Sequence, residues 1–293
     1  MRTLFTVAHY RHIPRVMLLA QSIQKYHPQD RLQIWLTDVQ QSLDLPDWEG
    51  VSWHYLNELS DTSWEQMAKK YGWEVFRENM KVYIGADLLQ RFERILFVDP
   101  RSIFFQPCED LWAAADSAQM VLIPELLQAD GHPKQEVILN QGIYQNHVWV
   151  ARQTEDSFDF FSWWKSQVKE KGYVDVCRGL NADRYFLEIA PSIFPNFTIY
   201  RHPGIGVSHR NLPERKVNWF QRTSNDFPLV LHEFQEETEY PASVQPLMSR
   251  RERKLWEAVR PQLGMPELSN TQQKIRASLL KWEARIHRFF DQF

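Results

Sequence analysis

The octapeptide RILFVDPR, residues 94–101, is the most informative stretch of the chain. Its apolar run is short, continuous and bounded by turn residues, which is typical of a buried strand in a mostly parallel sheet. Sheets of this kind bind ligands beyond the carboxyl ends of their strands. Because Asp99 directly follows the apolar run, the sequence places its carboxylate where a functional site is expected.

Apolar runs and helical patterns alternate along the rest of the chain. This alternation predicts an α/β fold with a doubly wound, mostly parallel sheet flanked by helices. The strands are expected at 2–8, 32–37, 51–56, 94–99 and 119–123, with a strand pair around 142–151. The helices are expected at 14–26, within 63–92 and at 155–170.

Length and composition fit one large domain with a small appendage. The chain has 293 residues, of which 43% are apolar, enough to fill a single α/β core. Its two cysteines, Cys108 and Cys177, are far apart and have no CxxC partner, so neither a disulfide framework nor a cysteine zinc site is indicated. No apolar run approaches the ~20 residues that cross a bilayer, and the run at the start is too short for a secretory signal. These features favour a cytoplasmic protein.

The charge is unevenly distributed along the chain. From Arg250 onward there are ten Lys and Arg against five Asp and Glu, although the formal net charge of the whole chain is −3. The composition changes near 241–250, so we expect a domain over 1–240 and a helical, basic C-terminal extension over 241–293. A chain that is acidic overall and has no reader motif argues against nucleic-acid binding.

The extension carries one apolar helical stripe, formed by Ile275, Leu279, Trp282, Ile286 and Phe289. Two interpretations of this stripe are open. In the first, residues 270–290 pack against the main domain or against a second copy in a dimer. In the second, they rest on anionic lipid as a peripheral contact at the inner face of the cell membrane.

Several segments besides Asp99-Pro100-Arg101 recur in a recognisable order. They are 4–10, the helix ending at His27-Pro28, the strand ending at Asp38, and 178–183, 193–199, 202–207 and 211–215. In order and spacing they resemble the family 8 glycosyltransferases and related bacterial polysaccharide-synthesis glycosyltransferases. Asp99-Pro100-Arg101 is similar to the Asp-X-Asp metal-binding motif of that group, with the second acid replaced. The resemblance covers roughly residues 3 to 236 and implies a Rossmann-like, A-type glycosyltransferase fold.

The resemblance also implies an activity. It indicates a hexosyltransferase-type enzyme of polysaccharide biosynthesis that moves a sugar from a nucleotide-sugar donor, expected to be a UDP-sugar, to a glycan or lipid-linked acceptor. Retention of the anomeric configuration is part of what it implies. The altered motif favours a second hypothesis, in which the chain is a catalytically inactive scaffold that binds sugar nucleotides or assists assembly.

In that group, the two acids of the motif and a later histidine hold a divalent metal, Mn or Mg. The matching ligands here are Asp99 and, depending on the register of the strand over 228–234, His232 or Glu233. Arg101 cannot ligate a cation, but a guanidinium can form a two-pronged pair with phosphate oxygens. We hypothesise that Arg101 partly replaces the metal, so that metal dependence is altered or absent. The alternatives are that the altered site only binds, or that Arg101 points to solvent.

The resemblance carries over a set of donor contacts: Ala8, His9, Tyr10, Asp38, Lys81, Asp99, Arg101, His209 and Asn211. Some of them have simpler interpretations. Tyr10 fits a surface aromatic residue, and Asp38 fits a turn cap. Lys81 fits a solvated helix lysine, and His209 fits an ordinary surface histidine.

The residues expected to be catalytic are Asp183, Asn181 and Gln145. A carboxylate beside the reacting sugar carbon can orient hydroxyls or stabilise an oxocarbenium-like centre. The alternative for Asp183 is a helix N-cap. Gln145 lies in a strand where His147 replaces a glycine of the group, and Asn140-Gln141-Gly142 is the alternative segment in a shifted register. Glu125 is expected to face the acceptor.

Overall fold

The computed structural model describes residues 1–38, 45, 47–128, 142–175, 178–208, 210–218 and 221–234. Several expectations fall outside these residues and remain predictions. They are the domain boundary near 240, the extension over 241–293 with its apolar stripe, His209, and residues Asn140 and Gln141 of the shifted register.

The described residues form these strands: β1 (Arg2–Ala8), β2 (Leu32–Leu36), β3 (Val51–Tyr55), β4 (Arg94–Val98), β5 (Ser102–Phe104), β6 (Met120–Pro124), β7 (Tyr144–Arg152), β8 (Val174–Asp175), β9 (Leu180–Asn181), β10 (Phe197–Ile199), β11 (Val217–Asn218), β12 (Thr223–Ser224), β13 (Phe227–Pro228) and β14 (Leu231–Glu233). Seven of them build the central sheet, in the order β10-β6-β7-β4-β1-β2-β3. Strand β7 is antiparallel to both neighbours, and the other pairs are parallel. The mostly parallel sheet expected from the sequence is confirmed.

One expectation about this sheet is wrong. The region around 142–151 holds a single strand, β7, rather than a strand pair. Its residues 148–151 are fully buried between β4 and β6, and no turn interrupts them. A continuous apolar run without a turn residue is better satisfied by one central strand.

Helices cover both faces of the sheet. They are α1 (Ile13–Tyr26), α2 (Trp64–Lys70), α3 (Trp73–Leu88), α4 (Glu109–Ala114), α5 (Glu155–Lys171) and α6 (Arg184–Ile193), with short 3₁₀ turns at Tyr10–His12 and Leu56–Glu58. One apolar core contains Leu19 of α1 and Trp112 of α4. The other is aromatic, and in it Trp149 stacks on Phe97 with ring centroids 5.3 Å apart. Two such cores are what a sheet that is apolar on both faces requires.

Smaller strand pairings bring distant segments to the sheet. Strand β14 pairs antiparallel with β5, so that Glu233 lies opposite Ser102, close to Asp99 in the chain. Strands β8 and β9 pair with each other, and β11, β12 and β13 form a three-stranded sheet. Within the described part of the chain, no helix is both long enough and apolar enough to pass through a bilayer.

One edge of the central sheet, which we call the carboxyl edge, collects polar side chains. Ala8 ends β1, Asp38 closely follows β2, Asp99 follows β4 and Glu125 follows β6. The antiparallel strand β7 begins at the same edge with Tyr144. Because parallel strands all end on one side, the fold gathers residues that are far apart in sequence.

Candidate functional site

Asp99 and Arg101 form a closed pair at the carboxyl edge. Arg101 donates from Nε to Oδ1 of Asp99 at 2.8 Å and from Nη2 to Oδ2 at 3.2 Å, and its backbone N–H also donates to Oδ1. The Asp99 backbone N–H donates to the His147 carbonyl, which continues the β4–β7 ladder. Burial alone would raise the pKa of Asp99, but Arg101 and Arg77 outweigh it and hold that pKa far below its ordinary value.

The same guanidinium also holds Glu233. Arg101 Nη2 lies 2.7 Å from Oε1 of Glu233. Burial would raise the pKa of Glu233, but Arg101, His147 and Arg210 together lower it to about 2. The interpretation in which Arg101 points away into solvent is wrong, because its charged group bridges two buried carboxylates.

These carboxylates do not fit a divalent cation in this arrangement. Both oxygens of Asp99 accept hydrogen bonds from Arg101, and the guanidinium lies between Asp99 and Glu233. A hard cation needs those oxygens as ligands, and a positive group among them repels it. His232 lies opposite Ile103 in the β5–β14 ladder and packs its ring on Phe234 at 4.3 Å. Of the two residues allowed by the register, Glu233 rather than His232 reaches Arg101.

A separate group of potential metal ligands lies at the opposite edge, beside the start of β1. Among the described residues it consists of His27, Asp30 and Glu109. Arg2 donates to both of these carboxylates at distances of 2.6 to 2.9 Å. A guanidinium therefore pairs with the carboxylates of this group as well. The group shares no residue with the metal ligands expected from the sequence.

Asp99, Arg101 and Glu233 form the centre of a group of charged side chains that we call the ionic cluster. His147 and Arg210 extend this cluster beyond Glu233. His147 Nδ1 lies 3.3 Å from Oε2 of Glu233 and 3.2 Å from Nη2 of Arg210. Complete burial lowers the pKa of His147 to about 4, despite the opposing effect of Glu233. The imidazole is therefore neutral at pH 7, and the side chain that replaces the glycine of the related strands is a packed member of the cluster.

Glu125 was expected to face the acceptor, but its side chain is completely buried. Its Oε1 lies 2.9 Å from Nη2 of Arg210 and 3.0 Å from Nη2 of Arg184. Its Oε2 accepts a hydrogen bond from Asn211 Nδ2 at 3.3 Å, and Asn211 also donates to the Gly206 carbonyl. The structure thus places Asn211, a predicted donor contact, within this ionic cluster.

Lys81 and Asp183 form a buried ion pair. Lys81 Nζ lies 3.0 Å from Oδ2 of Asp183 and 3.0 Å from Oε2 of Glu78, and the side chains of the pair are 1% and 0% exposed. The interpretation of Lys81 as a solvated lysine is therefore wrong. Asp183 stands at the N-cap position of α6 but makes no capping hydrogen bond. Because burial outweighs the shared lysine, the pKa of Asp183 is raised to about 7.

Gln145 and Asn181, the other residues expected to be catalytic, lie on different strands. Gln145 is completely buried in β7, and its Nε2 donates to the Gly206 carbonyl at 2.6 Å. A side chain at Gly206, where φ is +65°, would overlap that amide, so the position requires glycine. Asn181 is half-buried in β9, where it pairs with Val174.

The residues expected near the nucleoside come together. Asp38 accepts a hydrogen bond from the Tyr10 backbone N–H at 2.9 Å and lies 2.8 Å from His9 Nδ1. The carbonyl of Ala8 accepts from the backbone N–H of Thr37 at 3.0 Å, which ties the end of β1 to that of β2. Tyr10 is 41% exposed. Asp38 therefore caps the turn and positions His9, and the Tyr10 ring is at the surface.

Four charged side chains of this site were not predicted from the sequence: Arg77, Glu78, Arg184 and Arg210. Arg77 Nη1 lies 3.8 Å from Oδ2 of Asp99, and Arg77 also pairs with Glu78. A signal for two of them was available, because Arg77, Glu78 and Lys81 fall on one side of a helix that is otherwise largely apolar. Arg184 and Arg210 show no comparable pattern.

Comparison with known proteins adds to this geometry. No protein-family model and no curated protein matches the sequence. A solved structure of the galactosyltransferase LgtC, in complex with donor and acceptor sugar analogues, aligns with a TM-score of 0.54 at 14% identity, over 88% of this chain and 96% of that chain. This chain has the A-type glycosyltransferase fold.

Two further structures align less well with this A-type fold. Mouse xyloside xylosyltransferase 1 in its apo form gives a TM-score of 0.47 at 11% identity, over 80% of this chain and 97% of that chain. The apo bifunctional glycosyltransferase WbbM gives 0.49 at 12% identity, over 80% of this chain and 46% of that chain. Their scores are too low to carry a functional comparison. The ionic cluster nevertheless lies where ligands bind in open α/β sheets.

Proposed function

We propose that this chain is a retaining glycosyltransferase that uses a UDP-sugar donor and a glycan or lipid-linked acceptor. In this proposal, guanidinium groups hold the donor diphosphate in place of a metal ion. The observation that carries it is the position of Arg101, whose side chain bridges Asp99 and Glu233 at the carboxyl edge. The shared fold with LgtC, a galactosyltransferase, supports glycosyl transfer as the reaction class.

The chemistry explains why positive charge is needed here. Transfer breaks the bond between the anomeric carbon and the oxygen of the distal phosphate, and both bonding electrons stay on that oxygen. The acceptor hydroxyl oxygen forms the new bond to the anomeric carbon and releases its proton to solvent. Preorganised positive groups stabilise the charge that builds on the leaving diphosphate. Arg101 is always charged, and its Nη1, which is outside the contacts with Asp99 and Glu233, can donate to phosphate oxygens.

In the same proposal, the nucleoside and the sugar of the donor contact the other residues predicted from the sequence. The nucleoside lies near His9, Tyr10 and Asp38, which the structure brings together. The sugar lies toward Asp183 and Gln145. Lys81 pairs with Asp183 and stabilises it rather than contacting phosphate, since Lys81 is almost completely buried.

Donor turnover with and without EDTA tests the proposal. We expect UDP-sugar consumption to persist in EDTA within about threefold of its rate in Mn²⁺, because Arg101 takes the place of the ion. The matched pair of variants is Arg101→Gln, which should lose turnover, and Arg91→Gln, which alters an exposed arginine that pairs with Asp87. Complete loss on chelation with recovery on adding Mn²⁺ would contradict the guanidinium-based site.

One observation favours a second function, a sugar-nucleotide-binding scaffold without catalysis. Asp183 is completely buried and paired with Lys81, and Gln145 is bonded to the Gly206 backbone. Two of the three candidate catalytic side chains are therefore engaged within the protein. Calorimetric binding of UDP without turnover over a broad panel of donors and acceptors would support the scaffold, whereas turnover of any pair excludes it.

A further inference from the structure

We propose that Arg210 is a second diphosphate-binding residue, and that Arg101 and Arg210, which lie near different oxygens of Glu233, together bind the two phosphates of the donor. This inference rests on the proposed function and deepens it. It assigns a role to a residue that no sequence pattern marks.

The two guanidiniums flank a single carboxylate. Arg101 Nη2 lies 2.7 Å from Oε1 of Glu233, and Arg210 Nη2 lies 3.7 Å from Oε2 of the same residue. Each oxygen of this carboxylate is thus an anionic acceptor close to a different guanidinium, a role that the oxygens of two adjacent phosphates can also take. Adjacent phosphates therefore present suitable acceptors to both side chains.

The two arginine side chains are partly exposed, whereas the carboxylates with which they pair are buried. The side chains of Arg101 and Arg210 are 29% and 16% exposed, whereas those of Asp99, Glu233 and Glu125 are at most 3% exposed. Among the described residues, Nη1 of each arginine has no hydrogen-bond or ion-pair partner. An anion that approaches the carboxyl edge therefore meets unsatisfied guanidinium donors before it meets a carboxylate.

Arg210 differs from the two structural arginines beside it. Arg184 donates to the carbonyls of Gly142 and Tyr144, and Arg215 donates to the carbonyls of Ile205 and Pro124. Both are at most 3% exposed. Arg210 donates to no backbone carbonyl of a described residue, and its hydrogen bond and ion pairs with described residues run through Nη2. In this part of the chain, charged and imidazole groups rather than the backbone hold its guanidinium, so a competing anion can draw it away more easily than Arg184 or Arg215.

Turning Arg210 toward a phosphate leaves no buried carboxylate without a cation. Oε1 of Glu125 remains paired with Nη2 of Arg184 at 3.0 Å, and Oε1 of Glu233 remains paired with Nη2 of Arg101 at 2.7 Å. The large penalty for stranding a buried charge is therefore avoided. The carboxylate of Glu233 competes with the ligand for both guanidiniums, so its neutralisation should strengthen diphosphate binding.

Calorimetry with UDP and UMP on the full chain tests this inference. We expect Arg210→Gln to weaken UDP binding about tenfold and to reduce the preference for UDP over UMP, because one phosphate loses its partner. Arg210→Lys should give an intermediate loss, because it keeps the charge without the planar fork. Glu233→Gln should tighten UDP binding, a result that a merely structural arginine–glutamate contact does not produce. Arg91→Gln is the control.

The outcomes separate this inference from the function on which it rests. If the wild-type chain binds UDP and Arg210→Gln binds it within about twofold, the role of Arg210 is overturned and the proposed function stands. If the wild-type chain binds neither UDP nor UDP-sugars, both are overturned. If Arg210→Gln does not fold, Arg210→Lys and Glu233→Gln decide the matter. Weaker UDP binding by Glu233→Gln would contradict competition between the Glu233 carboxylate and the ligand.

Discussion

The Arg101 guanidinium donates two parallel hydrogen bonds to the Asp99 carboxylate, from Nε to Oδ1 at 2.8 Å and from Nη2 to Oδ2 at 3.2 Å. The pair closes the Asp99-Pro100-Arg101 turn and directs the guanidinium toward Glu233. The residue that departs from the related metal motif is therefore the residue that organises this edge. Its planar shape matters as much as its charge.

Arg101→Lys tests that point. Lysine keeps the positive charge but cannot form the two-pronged pair, so we expect UDP affinity to fall about tenfold without loss of the fold. Calorimetry measures the affinity, and thermal unfolding checks that the variant is folded. Arg91→Lys, at an exposed site paired with Asp87, is the matched control. Wild-type affinity in Arg101→Lys would show that charge alone is sufficient.

The buried pair of Lys81 and Asp183 should be strongly coupled. Above about pH 7, where Asp183 is ionised, Lys81→Met leaves its carboxylate without its cation, and we expect the free energy of unfolding to fall by about 3–5 kcal/mol. Adding Asp183→Leu should recover most of that loss, because the uncompensated charge is gone. Urea unfolding measures both.

The control for this pair is Lys165→Met. Lys165 pairs with Asp61 at 2.9 Å, but both side chains are about a third exposed, at 28% and 39%. Exposed pairs contribute at most about 1 kcal/mol, so this change should be small. An equal loss at both lysines, or no recovery in the double variant, would contradict the buried pair.

The raised pKa of Asp183 predicts a specific pH dependence. Its pKa is about 7 in the folded chain against an ordinary value of 3.8, so the folded state holds this proton more tightly than the unfolded state. The contribution of Asp183 to stability is therefore fully present below about pH 4 and is lost as the pH rises through about 7. Asp183→Asn has no such proton, so the stability difference should shift in favour of the variant over that range. Urea unfolding at several pH values measures the difference, and a shift in the opposite direction excludes the raised pKa.

Gly206 should be intolerant of a side chain because of Gln145. Gly206 and Gly179 both have positive φ, +65° and +69°, but only at Gly206 would a Cβ meet the Gln145 amide. We expect Gly206→Ala to destabilise the chain by about 1–3 kcal/mol more than Gly179→Ala does. Thermal or urea unfolding gives the comparison. Equal losses at the two positions would mean that backbone strain, and not the amide, sets the requirement.

Much of the framework could be predicted from the sequence. The apolar run over 94–98 and the alternation around it predicted the mostly parallel sheet, and Asp99 and Asp38 were placed correctly at its carboxyl edge. These features are local, since a strand and the residue that ends it are read from neighbouring positions. The segment around 142–151 was predicted wrongly, because a pair of strands needs a turn between them and no turn interrupts this apolar run.

The partners within the cluster could not be predicted. Glu125, Arg184 and Arg210 come from separate loops or helices and meet only through the fold. Lys81 could be interpreted as a solvated lysine because an isolated lysine on a helix usually is exposed. Its burial is stable only because it pairs with Asp183. Which charges pair is a property of tertiary structure, and a single sequence carries little information about it.

The most direct measurement is a crystal structure of the chain with UDP and manganese, with anomalous data collected at the manganese absorption edge. We expect the diphosphate oxygens to bond to the Arg101 guanidinium, with no manganese peak between Asp99 and Glu233. A manganese ion coordinated by Asp99 and Glu233, with Arg101 displaced from them, would contradict the replacement of the metal by arginine.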